Sequence, residues 1–279
     1  MVNDRKIGLH MRLTSTLIDV LERAKKLKSS IVQCFFVHQI DNSYVSFAPG
    51  ELEKTIALLK KDFSHAYLHG SYWINLTGKR NNGSRVFKRE LELAQALGFT
   101  HMIIHPGSAK SCETKEEGIA LLAKAINKTT AQPSSVTLML ENTAHGNMSV
   151  GGDIKDFKAL LTQLDHPEKI EFCLDSAHAY SYGYDISTVE GLDAFIGEVD
   201  DAIGCHKVTL LHLNDIHDAC GSRIDKHMMP GEGKIGLEAL KRFMNHPKLR
   251  HAAVILEIPA VTDEQEKKIL KIVRSWIKK

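Results

Sequence analysis

The chain has 279 residues, 43% of them hydrophobic and 25% charged, enough for one large domain with a sizeable core. A formal net charge of +2 excludes a generally basic coat for nucleic acid and leaves only local basic patches. Five unpaired-looking cysteines with no CxxC motif, and an N-terminus (MVNDRKIG) without an apolar leader, point to a reduced, intracellular, cytoplasmic protein, and no apolar run nears the roughly 20 residues of a membrane span.

In chain order, Ile7–His10 reads as a first strand, followed by helical spacing over Ser15–Leu27. Ser30–Phe36 reads as the second strand, and Pro49 and Gly50 open a helix over Glu51–Lys61. Ala66–His69 precedes a helix over Ser84–Leu97 that Gly98 stops. The same alternation continues through His101–His105 and Thr114–Asn127, Val136–Glu141 and Asp153–Leu164, and Ile170–Asp175 and Thr188–Ile203. Val208–His212 with Leu237–Phe243, then Ala253–Glu257 with Asp263–Ile277, complete it. The strands are near-continuous apolar runs, as parallel strands buried on both faces require. Eight β-α units predict an α/β protein, a single (β/α)8 TIM barrel spanning residues 1–279, since barrels typically run to about 250 residues. A doubly wound open sheet is the alternative, but it would struggle to gather the ends of strands three to eight around one centre.

Six apolar runs end in a polar side chain suited to metal binding: His69, His105, Glu141, Asp175, His212 and Glu257. Each falls where a strand emerges at its carboxyl end, the face on which barrels carry their active sites. His178 follows Asp175 at i+3, and Asp225 and His227 lie at i, i+2, a spacing that puts both on one face of an extended loop. Nitrogen and oxygen donors without cysteine suit zinc or manganese. Any one of these residues alone is better read as an ordinary hydrogen-bonded histidine or a helix-capping carboxylate. Together, four carboxylates and five histidines in one pocket without a cation would cost several kcal/mol in unpaired or repelling groups. His10 and the remaining histidines are expected to be structural. A basic rim is expected from Lys79, Arg80, Arg85 and Arg223.

The segments YLHGSYWINL, IIHPGS, LENTA, CLDSAHAYSYGYD, LHLND, SRIDKHMMPGEG and LEIP resemble the endonuclease IV family of abasic-site DNA repair enzymes over most of the chain. The resemblance implies a barrel holding three zinc ions, with manganese as an alternative at one site. His69 and His105 would hold the first ion, and Asp175, His212 and Glu257 the second, with Glu141 bridging them. His178, Asp225 and His227 would hold the third. It implies cleavage of double-stranded DNA 5′ to abasic sites and removal of 3′ blocking groups. Glu141 and Glu257 would be the catalytic carboxylates, Glu257 orienting or deprotonating the attacking water. Tyr72 and Trp73 match a stacking wedge of the family and are expected to touch substrate. A monomer without membrane attachment is expected.

The chain departs from the family pattern at three places. The segment Phe35–Phe47, FFVHQIDNSYVSF, lacks the Asn-Pro-Arg signature whose Arg enters the duplex. The first strand runs on as GLHMR, and Ser176 and Ala177 stand where Thr and Cys are common. Trp73, with His38 or Gln39, is expected to take over the role of the missing Arg. A metal-dependent sugar isomerase or epimerase on the same barrel is the alternative function, because a fold does not by itself fix chemistry. Such an enzyme would leave His178, Asp225 and His227 without a purpose.

Overall fold

The structure is a computed structural model describing residues 5–80 and 82–277. Eight strands run parallel: β1 (Ile7–Leu9), β2 (Ile31–Cys34), β3 (His65–His69), β4 (His101–Ile104), β5 (Thr137–Glu141), β6 (Ile170–Asp175), β7 (Val208–His212) and β8 (Ala253–Leu256). Each of β2 to β7 pairs with the next strand in sequence, and β8 pairs with β1, Ile7 lying opposite Val254. The last seam, between β1 and β2, is held by a parallel bridge from His10 to Gln33 and by the Met11 amide donating to the Gln33 carbonyl at 2.7 Å. The predicted barrel is therefore present, and the open-sheet alternative is not.

Nine helices follow from local signals among the described residues: α1 (Leu17–Lys26), α2 (Glu51–Asp62), α3 (Asn82–Leu97), α4 (Lys115–Thr130), α5 (Lys155–Leu161), α6 (Ser176–Tyr182), α7 (Val189–Ile203), α8 (Leu237–Asn245) and α9 (Asp263–Ser275). Thr16, Thr114, Thr188 and Thr262 accept from first-turn amides of α1, α4, α7 and α9, which satisfies donors that a helix start otherwise leaves bare. Leu17, Val20, Leu21 and Ala24 of α1 are spaced to bury one stripe against the sheet. No described helix is long and apolar enough to cross a membrane.

The main difference from the sequence reading is α6, which follows β6 without a loop. Six of its seven residues, from Ser176 to Ser181, are buried, so no amphipathic stripe marks it in the sequence. The other elements agree to within a few residues at their ends, where helices and strands fray.

The core has two zones. Apolar side chains on the outer face of the strands pack against the helices, and a smaller set fills the barrel. That inner set is Ile31, Tyr67, Ile103, Met139, Cys173, Leu210 and Ile255, one residue from each of β2 to β8. Because strand side chains alternate between faces, the residue two positions further on also points inward. Along β2 to β8 those residues are Gln33, His69, His105, Glu141, Asp175, His212 and Glu257, with His105 and Glu257 one residue past the ends of β4 and β8. The barrel is thus plugged by an apolar layer and crowned by a polar one.

Candidate metal centre

All nine sequence-predicted ligands converge at the carboxyl ends of the strands. Glu141, Asp175 and His212 are fully buried, whereas the side chains of His105 and Asp225 remain 25% and 28% exposed. The cluster thus has a sealed floor and an open rim. Among the described residues five overlapping groups of donor atoms come close enough to share a cation: His69, His105 and Glu141; His69, His212 and Glu257; Glu141, Cys173 and His212; Glu141, Asp175, His212 and Glu257; and Asp175, His178 and His227. Asp225 adjoins the last group, 3.1 Å from His178 Nε2 and 3.0 Å from His227 Nε2.

The local fold aims these groups. Asp175 caps α6, its Oδ1 accepting from the His178 amide at 2.8 Å, while Oδ2 lies 3.9 Å from His227 Nε2. Helix capping and a place in the cluster are therefore compatible readings of one carboxylate. Asp225 and His227 are carried by the segment after β7, where His227 and Met228 form a two-residue antiparallel ribbon with Ile216 and Asp215. The buried Asp215 carboxylate accepts from the backbone amides of Gly231, Gly233, Ile235 and Gly236 and so ties down this glycine-rich segment. At position 233 a Cβ would lie 2.4 Å from Asp215 Oδ1, so only glycine lets the chain come this close.

Imidazole tautomers can be read from the far nitrogens. His69 Nδ1 donates to the Gly70 carbonyl at 2.9 Å, His178 Nδ1 to the Asn142 carbonyl at 2.8 Å and His227 Nδ1 to the Glu257 carbonyl at 3.2 Å. Each neutral ring then turns the lone pair of Nε2 into the cluster, the usual arrangement of a metal-binding histidine. Asn214 holds the carboxylates, its Nδ2 donating to Asp175 Oδ2 at 2.5 Å and to Glu257 Oε2 at 3.2 Å.

Two observations show that this donor set fits divalent cations. His105 Nε2, Glu141 Oε2 and His227 Nε2 are buried without any hydrogen bond, although Glu141 Oε2 is 3.2 Å from both His69 Nε2 and His105 Nε2. His105 Nε2 and Glu141 Oε2 face a point they share with His69, whereas His227 Nε2 faces the carboxylates of Asp225 and Asp175. His212 Nδ1 meets Glu141 Oε1 at 2.8 Å, Glu257 Oε2 at 3.4 Å and Asp175 Oδ2 at 3.8 Å, so three carboxylate oxygens crowd one ring nitrogen. Such a gathering needs protons or cations between its members.

In the absence of a cation, protons take that role. Burial opposes charge throughout the cluster. The imidazoles overcome it at Glu141, where His212 and His105 hold the carboxyl well below its usual range, and at Asp225, where His178 and His227 do so. At Asp175 burial wins and the pKa rises. Burial would lower the His227 pKa, but Asp225 and Asp175 lift it to about 9. Cys173, in the layer beneath, also lies close to Glu141 and His212. Burial pushes its thiol up to about 12, so it stays protonated and the set remains one of nitrogen and oxygen donors.

Around the rim, a cleft of about 330 Å³ opens over Glu257, His178 and Asp225, and a second of about 260 Å³ opens over Asn75, Ser108 and Thr143. Tyr72 lines both, with 78% of its surface exposed, and Trp73 beside it is 51% exposed. His10 lines the first cleft from a buried position packed on Phe35. Gln39 also lines it, and Ile40 beyond is exposed in the turn between the bridged residues Val37 and Tyr44. The expected basic rim is weaker than its composition implies. Lys79 is paired with Glu117 at 2.8 Å, and the Arg223 guanidinium stacks 3.6 Å from the centre of the Tyr182 ring.

The sequence reading missed Gln33, Asn142, Asn214 and Asp215, the uncharged or non-cluster groups that orient the donors. Gln33 had a signal, the period-two register that brings it into the polar layer. Asn142 and Asn214 directly follow or nearly follow a ligand position, but an amide in a loop has no pattern that names its partner.

The chain is similar to known proteins over most of its length. The sequence profile of the xylose isomerase-like TIM barrel family matches residues 21–279. A probable endonuclease 4 of Solibacter usitatus is 36% identical, over 97% of this chain and 96% of the relative. Apurinic-apyrimidinic endonuclease 1 of Schizosaccharomyces pombe is 36% identical, over 81% of this chain and 67% of the relative. The crystal structure of endonuclease IV from Thermus thermophilus superposes with a TM-score of 0.82 at 29% identity, covering 98% of both chains.

Proposed function

Because the chain belongs to the endonuclease IV family within the xylose isomerase-like TIM barrels, we propose that it is a metal-dependent hydrolase cleaving DNA at abasic sites through the nine-residue centre. The convergence of three carboxylate oxygens on His212 Nδ1, inside a ring of further ligand-type side chains, carries this reading. In our assignment His69, His105 and Glu141 would hold one zinc, Glu141, Asp175, His212 and Glu257 a second, and His178, Asp225 and His227 a third, with manganese as an alternative at one position. The reaction is cut 5′ to the baseless sugar together with removal of 3′ blocking groups. The chain acts as one catalytic domain and as a cytoplasmic monomer.

Cations held there would supply Lewis acidity for phosphoryl transfer and lower the pKa of a water molecule toward neutrality. The four carboxylates carry fewer charges than three divalent ions would, so the loaded centre stays positive and favours a phosphodiester anion and its more highly charged transition state. Glu257 sits at the mouth with its side chain 14% exposed. Burial would raise its pKa, but His212, His10 and His69 hold it below the usual carboxylate range. It therefore remains ionised and orients the attacking water by accepting a hydrogen bond from it. Glu141, fully buried, fixes the spacing of His69, His105 and His212 and touches no solvent. Tyr72 and Trp73 project where a duplex would approach. Stacking on bases beside an extruded sugar contributes about 1–3 kcal/mol per aromatic.

The decisive test is a duplex bearing one abasic analogue, incubated with and without chelator. A single nick 5′ to the lesion that chelation abolishes is expected. Intact duplex alongside turnover of a ketose would favour the isomerase alternative instead. Trp73→Ala is expected to weaken binding of the abasic duplex by about 5- to 150-fold, the equivalent of one lost stacking partner. Gel-shift titration checks this, and parental affinity would remove Trp73 from the interface.

A further inference from the structure

Gln33 occupies, on β2, the layer that the ligand-type residues occupy on β3 to β8. It lies two residues beyond Ile31 of the inner apolar set, as His69 lies beyond Tyr67 and Glu257 beyond Ile255. A glutamine amide binds zinc poorly compared with imidazole or carboxylate, so its place in the ring calls for another role. It is fully buried, and three polar atoms surround it. Its Oε1 is 2.8 Å from His212 Nε2, and its Nε2 is 2.6 Å from Glu257 Oε1 and 2.9 Å from His10 Nδ1.

Only one amide orientation satisfies all three neighbours. With the carbonyl toward His212 and the NH2 toward Glu257 and His10, each amide hydrogen finds an acceptor. The reverse orientation would set the amide oxygen 2.6 Å from a carboxylate oxygen. With the carbonyl facing His212, the ring must carry its proton on Nε2. Its Nδ1 lone pair then points at Glu141, Glu257 and Asp175. The same amide fixes one oxygen of Glu257, while Asn214 Nδ2 fixes the other at 3.2 Å.

We propose that Gln33 is a positioning residue for the cation held by Asp175, His212 and Glu257, setting the tautomer of one ligand and the orientation of another. The inference rests on the metal-dependent reading above. An outer partner of this kind changes cation affinity by roughly 10- to 100-fold when removed, without itself touching the ion.

The test uses the full chain and zinc as the probe. Gln33→Met keeps the size of the side chain and removes all three hydrogen bonds. Gln33→Glu keeps an acceptor toward His212 and loses the donor toward Glu257. Competition with a chromophoric chelator is expected to show one zinc weakened by about 10- to 100-fold in Gln33→Met and also in Gln33→Glu, whose second oxygen replaces the donor facing Glu257, and the other zinc ions bound as in the parent. The interval between the melting temperatures of the zinc-loaded and zinc-free protein should narrow. Should Gln33→Met fail to fold without zinc, the same comparison is read on Gln33→Glu. Parental affinities in the folded variants would overturn the proposal. So would an equal fall of both melting temperatures, which is what a merely structural role produces. A parent chain that binds no zinc would instead overturn the metal-dependent reading, and the two failures are thereby distinct.

Discussion

Glu141→Gln is expected to lower cleavage of an abasic duplex by about a thousandfold or more while leaving the barrel folded. Glu141 is the hub of the centre, with Oε2 3.2 Å from both His69 and His105 and Oε1 2.8 Å from His212. A glutamine has the same size but removes one negative charge and presents an NH2 to a ring nitrogen that should offer a lone pair. Cation chemistry of this kind is worth several kcal/mol, and each 1.36 kcal/mol is a factor of ten in rate. His105→Ala should act in the same direction. His105 is partly exposed and donates to no element of the fold, so far-UV circular dichroism should not change. Single-turnover cleavage and metal content, measured together, check both variants. Parental cleavage by Glu141→Gln would remove the carboxylate from the centre.

Removal of the cations should destabilise the protein and make its stability depend on pH in a defined sense. A cation bound at a thousand times its Kd adds about 4 kcal/mol to the folded state. For a chain of this size 1 kcal/mol shifts Tm by about 2–4 °C, so even one lost cation lowers it by roughly 10 °C. In the metal-free protein the His227 pKa is lifted to about 9, above the value of about 6.5 for an unfolded histidine. His178 and His212 are raised as well, burial opposing and the neighbouring acidic groups prevailing. Below about pH 6.5 both states hold the proton and its stabilisation is complete. Between about 6.5 and 9 the folded state holds more protons than the unfolded one, so stability falls as pH rises. For His227 the loss is on the order of 3 kcal/mol. Loaded cations displace these protons, so the metal-bound protein should lack this dependence and its apparent affinity should rise with pH over the same range. Thermal scans of both forms at pH 6, 7.5 and 9 test this. An unchanged Tm after verified cation removal would contradict a buried centre.

The two variants of Gln33 and the Trp73 substitution probe different layers of the same end of the barrel. Glu141 and His212 form its sealed floor, Gln33 braces the floor from β2, and Tyr72 and Trp73 stand on the rim. This order from buried to exposed explains why loss of Glu141 should abolish the reaction, whereas loss of Trp73 should weaken binding only.

Much of this was legible in the chain itself. Apolar runs such as MIIH and IEFCLD announce parallel strands, because a strand buried on both faces cannot alternate apolar with polar residues until it emerges. The same runs ending in His105 and Asp175 place donors at one end, and the regular β-α alternation closes the sheet. The separate segments that carry His178, Asp225 and His227 were also recognisable, since their spacing suits a single pocket. What the tertiary structure alone decided is how those donors are held. That Asp175 caps α6 with one oxygen and faces His227 with the other depends on a helix too buried to show an amphipathic stripe. That Asp215 gathers four backbone amides some twenty residues away, or that Gln33 serves His212 and Glu257 across the barrel seam, depends on closure. Side-chain type and spacing report which chemistry a chain can carry. Neutral amides and backbone carbonyls acquire a role only when distant segments meet, because a hydrogen bond acts over about 3 Å and leaves no periodic trace along the sequence.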